Sequence, residues 1–232
     1  KKNFSSGDWL KLVKKKILEV NKRKKIPILV GGTGLYFKAL TEGLVNIPII
    51  PIKLREKIRS LHKKIGQNNF FMELIKIDPL SKNYIYPSDT QRVIRAYEVK
   101  SYTNKSLYEW FKNTKSNYEK KDFCKIYLNF PRNELLERII IRAQEMIKKG
   151  AIKEVKRFVK LKVPKSKSAR KAIGINEIKE YLDKKIQIND VIEKISIKTR
   201  QYAKRQSTWG RGNMTDWKKI NPKDLNKFLK KI

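Results

Sequence analysis

The stretch from Pro27 to Leu44 constrains this chain more than any other. An apolar run, Ile28, Leu29 and Val30, breaks at Gly31 and Gly32, and apolar residues resume after Gly34 at Leu35, Tyr36, Ala39 and Leu40 with helical spacing. That order predicts a buried strand, a tight turn, and a helix whose first N–H groups point out of the turn. Glycines without a Cβ let backbone or ligand come close, and a helix N-terminus favours anions. An ordinary α/β joint has the same pattern, so the stretch alone leaves plain turn and anion site both open.

Charge narrows the partner. Lys and Arg number 57 against 22 acidic residues, a formal net charge of +35. An excess of that sign points to a polyanion, with nucleic acid foremost. Only 13 of the basic residues are Arg and 44 are Lys. Abundant Lys, Ile and Asn fit an A/T-rich coding bias, so the sign of the charge informs more than its size. The one cysteine, Cys124, lies in the apolar run Phe123 to Phe130 and is expected to be a buried, inert thiol in a reducing compartment. One Cys and one His (His62) exclude a zinc cluster of the usual kind. No apolar run has the length of a membrane span and no signal peptide opens the chain, so a soluble cytoplasmic protein without a membrane partner is expected.

Taken in order, residues 7–23 read as an amphipathic helix with Trp9, Leu10, Val13, Ile17, Leu18 and Val20 on or near one face. A strand at 27–30 with nothing parallel before it would be an edge without a sheet, which implies strands upstream of Lys1. After Pro51 the pattern turns helical, at 52–65, 70–77, 88–103 and 106–114. Ser88 and Gln91 fit a capping box, with Gln91 and Arg95 one turn apart and Arg92 beside them. Residues 125–130 read as a second buried strand. The helix after it carries Leu135, Leu136, Ile139, Ile140, Ala143, Met146 and Ile147 inward, with Arg138 and Arg142 on its flank. Helices at 152–163, 169–182 and 190–206 follow, the last N-capped by Asp190 and carrying a stripe of Lys194, Lys198, Gln201 and Arg205. A short strand at 215–217 and a surface helix at 222–231 close the chain.

Four motifs carry a resemblance. Gly31-Gly-Thr-Gly-Leu-Tyr36, Asp89-Thr-Gln-Arg-Val-Ile-Arg95, Ser168-Ala-Arg-Lys-Ala-Ile-Gly174 and Thr199-Arg-Gln-Tyr-Ala-Lys-Arg-Gln206 stand in the order found in the tRNA dimethylallyltransferases, and the similarity runs from about residue 8 to about residue 217. The resemblance implies an α/β, P-loop NTPase-like core with an inserted all-helical tRNA-binding domain. The divisions would be 1–48 for the core's N-terminal remnant, 49–118 for the insertion and 119–232 for the rest of the core. It implies a channel that takes dimethylallyl pyrophosphate from one end and a flipped-out adenine from the other, with Mg²⁺ as cofactor, the tRNA anticodon stem-loop as partner and a monomeric enzyme.

By the same resemblance Thr33, Arg55, Gln91, Arg92, Arg95, Ser168, Arg170 and Lys171 would contact tRNA. Arg142 would be catalytic, facing the leaving pyrophosphate, and Arg200, Lys204 and Arg205 would serve either pyrophosphate or the RNA backbone. The chain departs from the family at one place: it contains neither the Gly-rich loop ending Gly-Lys-Ser/Thr nor the aspartate base that follows it. An N-terminally truncated member, inactive as it stands, is therefore the leading expectation. The alternatives are a non-catalytic RNA-binding remnant and an adenylate isopentenyltransferase acting on free nucleotides. The helical insertion speaks against the second of these.

Overall fold

A computed structural model describes residues 4–112, 114–164 and 167–230. The chain divides into two compact units, one being Lys38–Lys120 and the other joining the stretches on either side of it. The described residues are mostly helical.

In the second of these units, α1 (Ser6–Lys22) opens with Ser5 as N-cap. The Ser5 hydroxyl accepts from the Asp8 N–H at 3.1 Å, and the Asp8 carboxylate takes the Ser5 N–H at 2.9 Å. Val13 and Ile17 are the buried pair of this helix, while Leu18, expected near the same face, is exposed. After the glycine turn comes α2 (Gly34–Thr41). Strand β1 (Ile126–Leu128) pairs in parallel with β2 (Lys218–Ile220), Ile126 opposite Lys218 and Leu128 opposite Ile220. A parallel pair needs a long crossover, and four helices supply it: α6 (Arg132–Lys148), α7 (Ala151–Lys160), α8 (Ile175–Leu182) and α9 (Ile188–Asn213). Their shared core is Ala143, Ala151, Val155, Ile178, Val191 and Ile195. A short helix, α10 (Leu225–Leu229), ends the described chain.

The Lys38–Lys120 unit is built on α3 (Ile52–Ile77), α4 (Thr90–Thr103) and α5 (Leu107–Lys112). Phe70, Leu74, Val93, Ala96 and Val99 are completely buried between them. The α3 span holds the two helices expected at 52–65 and 70–77, joined at Gly66, whose non-helical φ of 79° and ψ of 170° only glycine adopts readily. Asp78, at the end of α3, is buried and accepts the hydroxyls of Ser81 at 2.7 Å and Ser106 at 2.9 Å. It thereby ties the start of α5 to the end of α3, and no polar atom of the trio is stranded.

Several expectations fail for physical reasons. Residues 27–30 form no strand: Ile26, Ile28 and Val30 alternate with half-buried Pro27 and Leu29 but are 84, 79 and 90% exposed. The period-two pattern is real, yet a strand also needs a ladder partner, and none exists among the described residues. The second strand is three residues long and only half-buried. Cys124 is exposed, not buried. Asp89, not Ser88, caps α4, its carboxylate accepting the Arg92 N–H at 3.1 Å. Asp190 lies inside α9 and takes the Gln187 N–H at 2.8 Å, so the helix starts earlier than expected. The helix expected from 169 begins only at Ile175, after a 3₁₀ turn at Ser168–Lys171. The last strand lies at 218–220, not 215–217. Among the described residues no helix is long and apolar enough to cross a membrane.

Candidate nucleic-acid interface

The glycine turn is held against α9. The Gln206 side-chain amide donates to the Gly32 carbonyl at 2.8 Å. At Gly34 a Cβ would lie 2.0 Å from the Trp209 ring, so only glycine lets the start of α2 sit on that indole. Trp9 stacks on Tyr36 at 4.6 Å, and Phe37 meets Trp217 edge-on at 5.5 Å. This aromatic packing fixes the backbone around Thr33, whose carbonyl accepts the Tyr36 N–H at 3.0 Å while the residue itself stays exposed. Gln206 and Trp209 were not singled out beforehand, although both belong to or follow the last motif.

The basic stripe on α9 is half committed to the fold. Lys194 pairs with Glu180 at 2.8 Å. Lys198 reaches Glu177, a buried carboxylate that also accepts the Gly174 N–H at 2.8 Å. Gly174 has φ of 103°, the left-handed value that the turn before α8 demands. Burial pushes the Glu177 carboxyl up, but the hydrogen bonds from Lys198 and from the N–H groups of Glu177 itself and Gly174 outweigh it and hold the group below its ordinary range. Arg200, Lys204 and Arg205 are exposed, with Arg205 over the Tyr202 ring at 5.7 Å. In the 3₁₀ turn, Ser168 and Lys171 are exposed and Arg170 is half-buried.

Arg142 is exposed on α6 and makes no ion pair among the described residues. It lines a shallow depression of about 330 Å³ with Glu145, Met146, Lys149, Ala151 and Glu154. Of the two glutamates there, Glu145 is paired with Lys149 at 2.9 Å. Its neighbour Arg138 stacks on Phe130 at 4.9 Å.

The helical unit gathers the remaining predicted residues. Gln91 and Arg92 are exposed at the start of α4, with Arg92 paired to Asp89 at 3.3 Å. Arg95 and Arg55 meet at one place that the sequence reading did not anticipate. Both lie 3.4 Å from the carboxylate of Glu98, as does Arg59. Glu98 is 1% exposed. The spacings Arg95–Glu98 and Arg55–Arg59 were the available signal, since residues three and four apart share a helix face.

Among the described residues no three His, Cys, Asp or Glu side chains assemble into a metal site.

A family model described as IPP transferase matches residues 1–213. The chain belongs to the IPP transferase family. It is 52% identical over 229 residues to a Pelagibacter ubique protein named tRNA dimethylallyltransferase, covering 99% of this chain and 73% of that one. A Rickettsia massiliae protein of the same name is 40% identical over 233 residues, covering 99% and 64%. Among solved structures, a eukaryotic dimethylallyltransferase described as acting on tRNA superposes with a TM-score of 0.79 at 26% identity, over 97% of this chain and 58% of the other. The chain thus spans from 58 to 73% of the length of these IPP transferase relatives.

Two outcomes follow from this geometry. Gly34→Ala should destabilise the unit by about 1–3 kcal/mol, the usual cost of overpacking, read from urea denaturation together with a shift in tryptophan emission. Unchanged stability and emission would mean that the turn is not held on Trp209. Glu177, held below its ordinary range, stabilises the fold above the unfolded carboxylate range, and that contribution is lost as pH falls through the folded value. Urea midpoints measured from about pH 6 down to about pH 3 should therefore decline less steeply in Glu177→Gln than in the wild type, the variant being weaker at neutral pH.

Proposed function

We propose that this chain serves the transfer of a dimethylallyl group from dimethylallyl pyrophosphate to N6 of the adenosine on the 3′ side of a tRNA anticodon. The observation that carries the reading is the match to IPP transferases over residues 1–213, with relatives named tRNA dimethylallyltransferases over nearly the whole chain. In the step itself the N6 lone pair attacks the allylic carbon, the C–O bond breaks, pyrophosphate departs and the amine loses a proton. An adenine inside a stem-loop must leave its stack to react, so the protein has to hold the stem while one base enters a pocket.

In this reading the core is P-loop NTPase-like and Lys38–Lys120 is the inserted module that grips the stem. Gln91, Arg92 and Arg95 face the anticodon loop, where a planar guanidinium can bond phosphate or stack on a base. Thr33, Arg55, Ser168, Arg170 and Lys171 add tRNA contacts. Arg142 faces the leaving pyrophosphate, and Arg200, Lys204 and Arg205 share that anion or the RNA backbone. Mg²⁺, when bound, would offset the charge on the leaving pyrophosphate. The enzyme would act as a cytoplasmic monomer. The 232 residues contain no Gly-Lys-Ser/Thr phosphate loop, which favours a second reading of this chain taken alone: RNA binding without transfer.

Fluorescence anisotropy with an anticodon stem-loop tests both. If six to ten phosphates are contacted, affinity should fall by about 10³ to 10⁵ between about 50 and 200 mM salt. Arg92→Ala should weaken the anticodon hairpin more than an unrelated one; equal losses would assign the binding to the lysine-rich background. Labelled dimethylallyl should not pass to tRNA on this chain, and transfer would overturn the second reading.

A further inference from the structure

We propose that Arg55, Arg59 and Arg95, fanned around the buried carboxylate of Glu98, form one preorganised site for an RNA phosphodiester, with Glu98 as the residue that positions all three. The inference rests on the RNA-binding reading and deepens it: none of the four motifs assigns Arg59 or Glu98 to an RNA contact.

The geometry departs from what structural pairing alone needs. Burying a carboxylate is tolerated when it is paired and hydrogen-bonded, and one guanidinium suffices to neutralise it. Here three converge, each 3.4 Å from Glu98. Three positive charges against one negative leave a surplus at a fixed point. All three side chains are partly open to solvent, at 43, 50 and 40% for Arg55, Arg59 and Arg95, while the carboxylate beneath them is 1% exposed. Arg55 and Arg59 bond Glu98 through Nε. Their terminal Nη groups therefore remain to form the fork that matches two phosphate oxygens. Arg95 spends Nη1 on the carboxylate and retains its other amino group.

Glu98 also solves a problem that the ligand would otherwise have to solve. Three guanidinium groups repel one another, and long side chains lose rotamer freedom when a ligand fixes them. A central anion holds them together before binding, so less freedom is lost on contact with RNA. Arg55 and Arg59 lie one turn apart on α3 and Arg95 lies on α4, so the packing of these two helices sets the spacing of the charges. A phosphodiester is the anion that fits such a spread, partly exposed fork on a helical surface.

The test turns on a result that net charge alone would predict with the opposite sign. Binding of a labelled anticodon stem-loop is measured over a salt series for the 232-residue wild type, Glu98→Gln, Arg59→Ala, Arg59→Lys and the control Lys57→Ala. Glu98→Gln makes the protein more positive, so a diffuse lysine background predicts equal or tighter binding. Preorganisation predicts a loss of about tenfold, comparable to losing one charge-assisted hydrogen bond. Arg59→Ala leaves Glu98 with two arginines, so the fold is kept. It should lose about tenfold and lower the salt slope by about one. Arg59→Lys should not restore it, because an ammonium lacks the fork, and Lys57→Ala should lose less than either. Binding by Glu98→Gln at or above wild-type strength, or by Arg59→Ala at wild-type strength and slope, overturns the site while leaving RNA binding intact. Should Glu98→Gln fail to fold, which its thermal transition reveals, Arg59→Ala and Arg59→Lys decide alone. A wild-type chain that binds no hairpin overturns the RNA reading and this site together.

Discussion

Carboxylates are the scarce resource of this protein. With 22 acidic residues for 57 basic ones, the compact state works against its own repulsion, and the placement of each buried acid matters more than usual. Among the described residues the buried carboxylates are Asp78, Glu98 and Glu177, and each stands where helices join. Asp78 connects the end of α3 to the start of α5 through two serine hydroxyls. Glu98 joins α4 to α3 through arginines of both. Glu177 joins α8 to α9 through Lys198. Removing one partner of such a pair leaves a buried charge uncompensated, so these joints couple helix packing directly to the arrangement of surface cations.

That coupling separates two populations of positive charge. Most of the 44 lysines carry a point charge on a long stem, which attracts any polyanion and is screened by salt over about 10 Å. The arginines at 55, 59 and 95 are anchored from beneath by Glu98. A diffuse population supplies general attraction; an anchored one can favour a particular spacing of phosphates. Specific gripping of a stem-loop requires the second.

What could be read from the sequence follows from how local each feature is. The helices α1, α6 and α9 announced themselves because their apolar period is a property of a few turns. Residues 26–30 kept their alternating pattern, yet Ile28 and Val30 stay open to solvent, because pairing depends on residues far away in the chain. Asp89 took the cap expected of Ser88, since the two candidates are adjacent and only backbone geometry chooses between them. The family resemblance pointed to Arg55 and Arg95 as expected contacts. It did not reveal that both depend on Glu98, which joins side chains about forty residues apart. The glycine turn was placed correctly, but its support by Gln206 and Trp209 is likewise a long-range contact.

The same distinction divides α9 along its length. Its first half spends Lys194 and Lys198 on acids of α8, so the stripe seen in the sequence is there a packing device. Its second half carries Arg200, Lys204 and Arg205, which make no ion pair among the described residues, and then Gln206 and Trp209 against the glycine turn. At about 1.5 Å per residue, Lys198 and Gln206 are about 12 Å apart along the axis. One rigid helix therefore anchors itself to the core at one end and supports the glycine turn at the other, with its uncommitted cations between the two. The support of the glycine turn by Gln206 thus comes from a helix that is itself tied to the buried Glu177 carboxylate through Lys198.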